Sequence, residues 1–382
     1  MLSIKSKMPN VGNSIFPVMT GLANQYNAVN LAQGFPDFGT DPQLIHLVDE
    51  YMKKGFNQYS PPAGVLALRE QISELTFNRT GRRYNPETEV VVAAGGTQAL
   101  GTAITTFIRE GDEVIIFEPA YDCYSPIIKL NGGIPRAVEL TPPDYRIVWD
   151  EVKKCISNKT RMIMINTPHN PTGTTISKSD IEELIKITRG TDIIILSDEV
   201  YEHILFDGVE HQSMAKYPEL AERSLIVSSF GKTFHTTGWR LGYTLGPTEL
   251  MKEFMKVQLF SVYTNNTPMQ YAVAVYMENY PDKIMELSAF YQQKRDYFRK
   301  LMTETRFKLL PVSGSYFQTA SFADISDEGD YDFAVRITKE FGVATIPTSA
   351  FYSHGTDHKV IRFCFAKKDE TLQKAVERLV AI

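Results

Sequence analysis

Three charged side chains stand where surface charge is a poor explanation. Lys232 lies in Ser228-Ser229-Phe230-Gly231-Lys232-Thr233, among small, polar and apolar neighbours rather than other charges. A lysine near a strand end is commonly solvated, but a sheltered amine can lose its proton and form a Schiff base with a carbonyl compound. Asp198, in Ser197-Asp198-Glu199-Val200-Tyr201, ends an apolar run. Its burial would be costly unless it pairs with a cation, such as a protonated pyridine nitrogen; the plainer alternative is a cap on the next turn. Arg362, in Ile361-Arg362-Phe363-Cys364-Phe365, shares a strand face with Cys364 and opposes three apolar residues. An antiparallel sheet often has one wet face, so a solvated Arg362 and an anion-binding one are equally open at this stage.

These residues need elements to place them. Apolar, β-rich runs at 89–93, 114–117, 137–140, 161–165, 193–196, 225–228 and 241–245 predict a mainly parallel sheet buried on both faces. Helices are predicted at 97–109 and 179–189, the second opening on a Ser179/Glu182 capping box. Ligands of such a sheet bind beyond the carboxyl ends of its strands. There the chain offers Gly95-Gly96-Thr97, then Tyr121, then the segment from Asn166 through Asn170 to Gly173, then Asp198 and Tyr201, and finally Ser229 and Lys232. Five strands thus discharge into one crevice. Gly95-Gly96-Thr97 could present N–H groups to a phosphate at a helix start, although a glycine turn for packing is the commoner meaning of so short a motif. Ser229 and Arg240 could join it, or be a helix cap and a solvated charge.

After Pro281 the pattern changes to a long helix (284–301), a strand–turn–strand (307–322), a helix (331–341), two strands (343–346 and 360–366) and a last helix (369–379). The expected organisation is a large domain over 47–285. A smaller α+β domain would come from 286–382 together with an N-terminal arm, 1–46, that lacks a strand–helix unit of its own.

Several motifs carry a family resemblance: Asn170-Pro171-Thr172-Gly173, Ser197-Asp198-Glu199-Val200-Tyr201, and Ser229-Phe230-Gly231-Lys232 followed by Gly238-Trp239-Arg240-Leu241-Gly242. On these the chain resembles, over nearly its whole length, the class I aminotransferases of the fold type I pyridoxal-phosphate superfamily. Gln33-Gly34-Phe35-Pro36-Asp37-Phe38, Thr167-Pro168-His169-Asn170 and the stretch Ile361–Lys368 look like the methionine and kynurenine aminotransferase group, above all its bacterial methionine aminotransferases. The resemblance implies a seven-stranded sheet and a pyridoxal 5'-phosphate cofactor carried by Lys232, which would also shuttle the reaction's proton. It implies that Asp198 faces the pyridine nitrogen, that Tyr201 and Asn170 bond the ring oxygen, and that Tyr121 stacks on the ring. Gly96, Thr97, Ser229 and Arg240 would hold the phosphate, with Tyr59 arriving from a partner subunit of a homodimer. Arg362, helped by Asn170 and the Gly34 backbone, would grip the substrate carboxylate. Gly231 stands where some members carry a further phosphate-binding serine.

The stretch 258–269, which approaches the partner's pocket in such relatives, holds no arginine for a second carboxylate. With Phe16, Tyr121 and Tyr263 as walls, the expected substrates are an apolar, sulfur-containing or aromatic amino acid, methionine-like by preference, and a 2-oxo acid. A cysteine-conjugate β-lyase would share every cofactor residue and is the rival enzyme. A nicotinamide dehydrogenase lacks its G-x-G-x-x-G after the first strand, and a DNA-binding regulator lacks a basic helix. The net charge of −5 points to neither nucleic acid nor membrane. Met1-Leu2-Ser3-Ile4-Lys5 leads into no apolar run, so no signal peptide is expected. Cys123, Cys155 and Cys364 fit reduced thiols in the cytoplasm. His354 and His358 have a spacing zinc could use but no further ligand nearby, so no metal site is expected.

Overall fold

The structure, a computed structural model, describes residues 4–9 and 11–382. Met1–Ser3, on which the signal-peptide expectation partly rests, and Asn10 lie outside the described residues. All seven apolar runs enter one sheet: β1 Val90–Ala93, β2 Glu113–Glu118, β3 Ile134–Glu139, β4 Thr160–Asn166, β5 Ile194–Asp198, β6 Ser224–Ser229 and β7 Gly242–Leu245, in the order β1-β7-β6-β5-β4-β2-β3. Alternation along each strand feeds two cores. Ile115, Ile163 and Ile195 face Leu68, Ile72 and Ala272 on one side, while Ile116, Met164 and Leu196 face Leu100, Ile104 and Phe254 on the other. The run at 137–140 proves to be part of an edge strand, with Val138 its one fully buried residue.

All pairings are parallel except those of β7, which is antiparallel to both β1 and β6. This reversal matters for the site. It brings the first residue of β7, Gly242, beside Ala93 and Ser229, so the residues just before β7 sit where the other strands end.

The expected Ser179/Glu182 capping box is corrected to Ser177/Asp180, two residues earlier, opening the helix Lys178–Thr188. Ser177 Oγ accepts the Asp180 N–H at 3.2 Å and the Asp180 carboxylate accepts the Ser177 N–H at 2.8 Å, the same reciprocal bonding from a shorter acid. The N-terminal arm is also more ordered than expected. It forms the helix Ile15–Gln25, whose Met19 and Ala23 pack on Ala344, Ile346 and Phe351, and a short strand, Val29–Asn30, paired in parallel with Val343–Ala344.

A second, antiparallel sheet joins Ile346–Pro347, Val360–Cys364, Phe317–Ser321 and Lys308–Leu309 in that order. The helix Leu287–Met302 lays Tyr291, Phe298 and Met302 on its core, and Asp369–Leu379 adds Leu372, Ala375 and Val376. The helix expected at 331–341 is Asp330–Arg336 continued by a wider π turn, Ile337–Phe341. The expected change of unit at 46/47 falls within the helix Pro42–Lys53, and that at 285/286 falls beside the break between Asp282–Met285 and Leu287–Met302. Among the described residues no helix is long and apolar enough to cross a membrane.

Candidate active site

A cavity of about 380 Å³ lies at the carboxyl ends of the parallel strands, within the range of small-molecule sites. Gly96 and Thr97 enter it after β1, Tyr121 after β2, Asn166 and Asn170 from β4, Asp198 and Tyr201 from β5, and Ser229 and Lys232 from β6. Arg240 enters because β7 is reversed. Phe16 and Gly34 close it from the N-terminal arm, and Phe317 and Arg362 from the second sheet.

Two of its charged groups, Asp198 and Arg362, are buried without counter-charges, and Lys232 is partly buried beside them. Asp198 accepts the Tyr124 hydroxyl at 2.5 Å and the Val200 N–H at 3.3 Å. Burial raises its carboxyl to about 6, although the Tyr124 bond opposes the shift. The group therefore lacks the cation that would hold it ionised. Burial also lowers the Lys232 amine to about 8, so a useful fraction is unprotonated near neutral pH. Arg362 is fully buried, which excludes the solvated alternative. It donates to Asn170 Oδ1 and to the Ala32 carbonyl, both at 2.7 Å, its Nε has no partner, and its guanidinium lies 3.9 Å from the Phe317 ring centroid. None of these partners is a carboxylate. Burial pulls even this guanidinium down to about 10.

The opposite end suits a phosphate. The helix Gly96–Phe107 starts there with no side-chain cap, leaving its first N–H groups open. Ser229 occupies a cap position, but its hydroxyl caps nothing. Arg240 adopts left-handed backbone geometry, φ 54°, and a Cβ at Gly95 would stand 2.7 Å from its Nη2. Two glycines, a free hydroxyl and a guanidinium thus form a cradle with anion-binding chemistry. An aromatic wall (Tyr121), a carboxylate lacking a cation and a sheltered amine complete a donor set that fits pyridoxal phosphate.

Two expected residues lie elsewhere. Tyr59 and Tyr263 pack edge to face at 5.1 Å on the surface and do not line this chain's own cavity. Phe16 does line it, 6.5 Å from the Tyr121 ring, its helix tied down by a 2.6 Å bond from Ser14 to Asp122. Sequence reasoning gave no role to Tyr124, Asn166, Tyr316 or Phe317. Asn166 donates to the Asp198 carbonyl at 2.9 Å and accepts the Asn170 N–H at 2.8 Å, which sets Asn170. A buried strand-end aspartate needs a donor, and that need could have pointed to Tyr124; nothing local marked Tyr316.

Glu199, Glu202 and His211 bring potential metal-ligand atoms within 4.8 Å of one another. Their acceptor atoms already serve Ser197, the Met214 N–H, Ser228, Tyr243 and Arg79, which makes this a structural network. His358 bonds Glu139 at 3.1 Å.

A doubly wound sheet that gathers a sheltered lysine and an unpaired acid at its carboxyl edge, opposite an uncompensated arginine on a second sheet, has the donor set of an enzyme that handles a carboxylate substrate beside a carbonyl-reactive amine. The chain belongs to the class I and II aminotransferase family, whose profile matches residues 26–379. It is 43% identical to the methionine aminotransferase of Escherichia coli (strain K12), over 98% of this chain and 97% of that one. It is 35% identical to the kynurenine–oxoglutarate transaminase of Dictyostelium discoideum, over 97% and 94%. The crystal structure of YbdL from Escherichia coli, described as having a methionine aminotransferase function, superposes with a TM-score of 0.98 at 42% identity over the full length of both chains. The protein is a transaminase of a pyridoxal-phosphate-dependent family. The β-lyase alternative is not favoured by these relatives.

Proposed function

We propose that the protein transfers the amino group of an apolar, sulfur-containing or aromatic L-amino acid, methionine-like by preference, to a 2-oxo acid by a ping-pong cycle. The observation that carries this reading is Arg362, a fully buried guanidinium with no carboxylate partner, facing the cavity that holds Lys232 and Asp198. It offers a substrate α-carboxylate a planar fork of donors. Among the described residues of this chain, the cations lining the cavity beyond Arg362 are Lys232 and Arg240, so this chain offers its own cavity no further cation for a side-chain carboxylate.

In this reading Gly96, Thr97, Ser229 and Arg240 would hold the cofactor's phosphate, Tyr121 would cover its ring, Asn170 and Tyr201 would bond its ring oxygen, and Asp198 would pair its ring nitrogen. Bound there, pyridoxal phosphate supplies an electron sink for charge developing at the substrate's α-carbon. Lys232 would carry the cofactor between turnovers and would take up and return the proton of the substrate's α-carbon, and Phe16 and Phe317, which line the same cavity, would limit water there. Exposed aromatic rings at Tyr59, Phe260 and Tyr263 support a homodimer in which Tyr59 and Tyr263 serve the partner's site. Three unpaired thiols accord with a cytoplasmic protein.

The test is a donor panel against one fixed oxo acid, scored by loss of each amino acid. Methionine and the aromatic amino acids are expected to be consumed first. Preferential use of aspartate or glutamate would defeat the substrate reading, and pyruvate and ammonia released from a cysteine conjugate without any acceptor would favour the lyase.

A further inference from the structure

Tyr316 stands where the three parts that enclose the cavity meet. It immediately precedes the strand Phe317–Ser321 of the second sheet and is fully buried. Its hydroxyl lies 2.6 Å from the Gly34 carbonyl oxygen of the N-terminal arm and 2.8 Å from Nζ of Lys232 on the large sheet. A carbonyl oxygen only accepts, so the single phenol proton goes to Gly34 and a lone pair faces the amine. Lys232 is otherwise held by a 3.4 Å contact to the same carbonyl and by the faces of Tyr201 and Tyr316, at 5.5 and 5.3 Å.

We propose that Tyr316 is a positioning residue for Lys232: it donates a hydrogen bond to the Gly34 carbonyl, accepts one from the lysine amine, and so fixes that amine whenever it is not bonded to cofactor. The inference rests on the transamination reading, in which Lys232 must be released and still act on the α-carbon. Positioning, rather than acid–base work, follows from two facts. Burial pushes the phenol well above its ordinary range, so it keeps its proton, and that proton is already committed to Gly34. The ring cannot swing away, being packed on Phe317, Tyr201 and Tyr291 with centroids 4.9, 5.0 and 5.7 Å distant. Gly34 is equally fixed, since a Cβ there would stand 2.6 Å from Phe317 Cζ. The amine is therefore aimed only when the N-terminal arm and the second sheet are both seated on the large sheet.

Tyr316→Phe keeps the ring and removes the hydroxyl. In the intact enzyme kcat should fall roughly 10- to 100-fold, the range for losing a hydrogen bond to a charged group, with KM changed by less than about threefold. The isotope effect from an α-deuterated donor should rise, because the proton step becomes slower relative to the rest. In enzyme loaded with amino groups by excess donor, Lys232 is free to react with an acylating reagent. The lost acceptor had favoured the ammonium form, so the pH midpoint of that labelling, read by peptide mass, should move down. Fluorinated tyrosine at position 316, a weaker acceptor of nearly the same shape, should lower kcat in steps and serves if the Phe variant does not fold. Unchanged kcat and labelling midpoint, or a loss confined to KM, would overturn the inference. A parent enzyme that consumes no donor would defeat the transamination reading itself. A parent that transaminates beside an unimpaired Tyr316→Phe enzyme defeats only the role of Tyr316.

Discussion

Asp198 and Glu199 are consecutive, both buried, and opposite in circumstance. They leave β5 on opposite faces, as neighbours on an extended chain must. Glu199 turns away from the cavity and is saturated by Ser197 Oγ at 2.8 Å, the Met214 N–H at 3.1 Å and His211 Nε2 at 2.7 Å. Beside it Glu202 takes the hydroxyls of Ser228 and Tyr243 and the guanidinium of Arg79, at 2.5, 2.7 and 2.6 Å. Asp198 has a phenol and one N–H but no cation, and across the cavity Arg362 has two neutral acceptors but no anion. One network closes on itself and stabilises the fold. The other is open at both ends, where in the proposed function a cofactor's ring nitrogen and a substrate's carboxylate would bind. Changes in the open network should therefore cost rate, and changes in the closed one should cost stability.

The largest effect on rate belongs to Lys232. Lys232→Ala should lose transamination by at least roughly 10⁴-fold, the upper range for a positioned acid–base group, along with the covalent attachment of cofactor. Borohydride labelling of the parent enzyme should mark the Lys232 peptide, and a label on any other peptide would contradict the assignment. Asp198→Asn comes next. It keeps shape but removes the charge that, in the proposed function, would hold a proton on the ring nitrogen, so kcat should drop by about two to three orders of magnitude while some cofactor stays bound. A rate within about threefold of the parent would place Asp198 with Glu199 among structural acids.

Arg362→Lys is smaller and more discriminating. A lysine retains charge but cannot reproduce the two-pronged geometry, so kcat/KM should fall by about 2–5 kcal/mol for every donor alike, with the cofactor's visible absorption intact. Kinetics like the parent's would remove Arg362 from the open network. A loss confined to one side-chain class would move it from the α-carboxylate to the side-chain pocket, and the apolar-substrate reading would go with it.

How much of this contrast was legible beforehand follows from what each feature depends on. The seven strands were readable because runs such as Val114–Phe117 are apolar on both faces, and only a doubly covered sheet satisfies that. The strand-end motifs were readable because chain direction fixes which end of a parallel strand meets the ligand. Arg362 was undecidable from its strand alone, since alternation gives a face but not what covers it. Tyr316 and Tyr124 were invisible because their importance lies in single contacts to Lys232 and Asp198, 84 and 74 residues away in sequence. The helix Ile15–Gln25 was missed because Pro17 and Gly21 read as turn residues, and because its apolar side, Ile15, Phe16, Met19, Leu22 and Ala23, depends on a surface built by residues 344–351. The capping box was misplaced because Asp180 serves as the reciprocal acid as well as a glutamate does.

The smallest effect on rate, and one that falls on stability instead, concerns Glu202. Burial alone would raise its carboxyl, but His203, Arg79, His211 and Ser228 together hold it down to about 2. Burial first, then Arg79, drive His203 itself down to about 3, so at ordinary pH His203 is neutral while Arg79 stays a cation beside Glu202. A carboxyl held below its unfolded value binds its proton more readily in the unfolded chain. Its contribution is complete above the unfolded value of about 4.3 and fades as pH falls toward 2, and a shift of this size is worth about 3 kcal/mol. The parent enzyme should therefore lose stability steeply between about pH 5 and pH 2. Glu202→Gln should flatten that slope while lowering stability at pH 7 by about 1–3 kcal/mol, since it removes the anion that pairs the half-buried Arg79. Measured below its melting temperature, the variant should keep kcat within about threefold of the parent. Denaturant titrations across pH, paired with kinetics at pH 7, decide the matter. A Glu202→Gln enzyme of parental stability and crippled kcat would mean that the closed network also reaches into the chemistry, and the division between the two faces of β5 would fail.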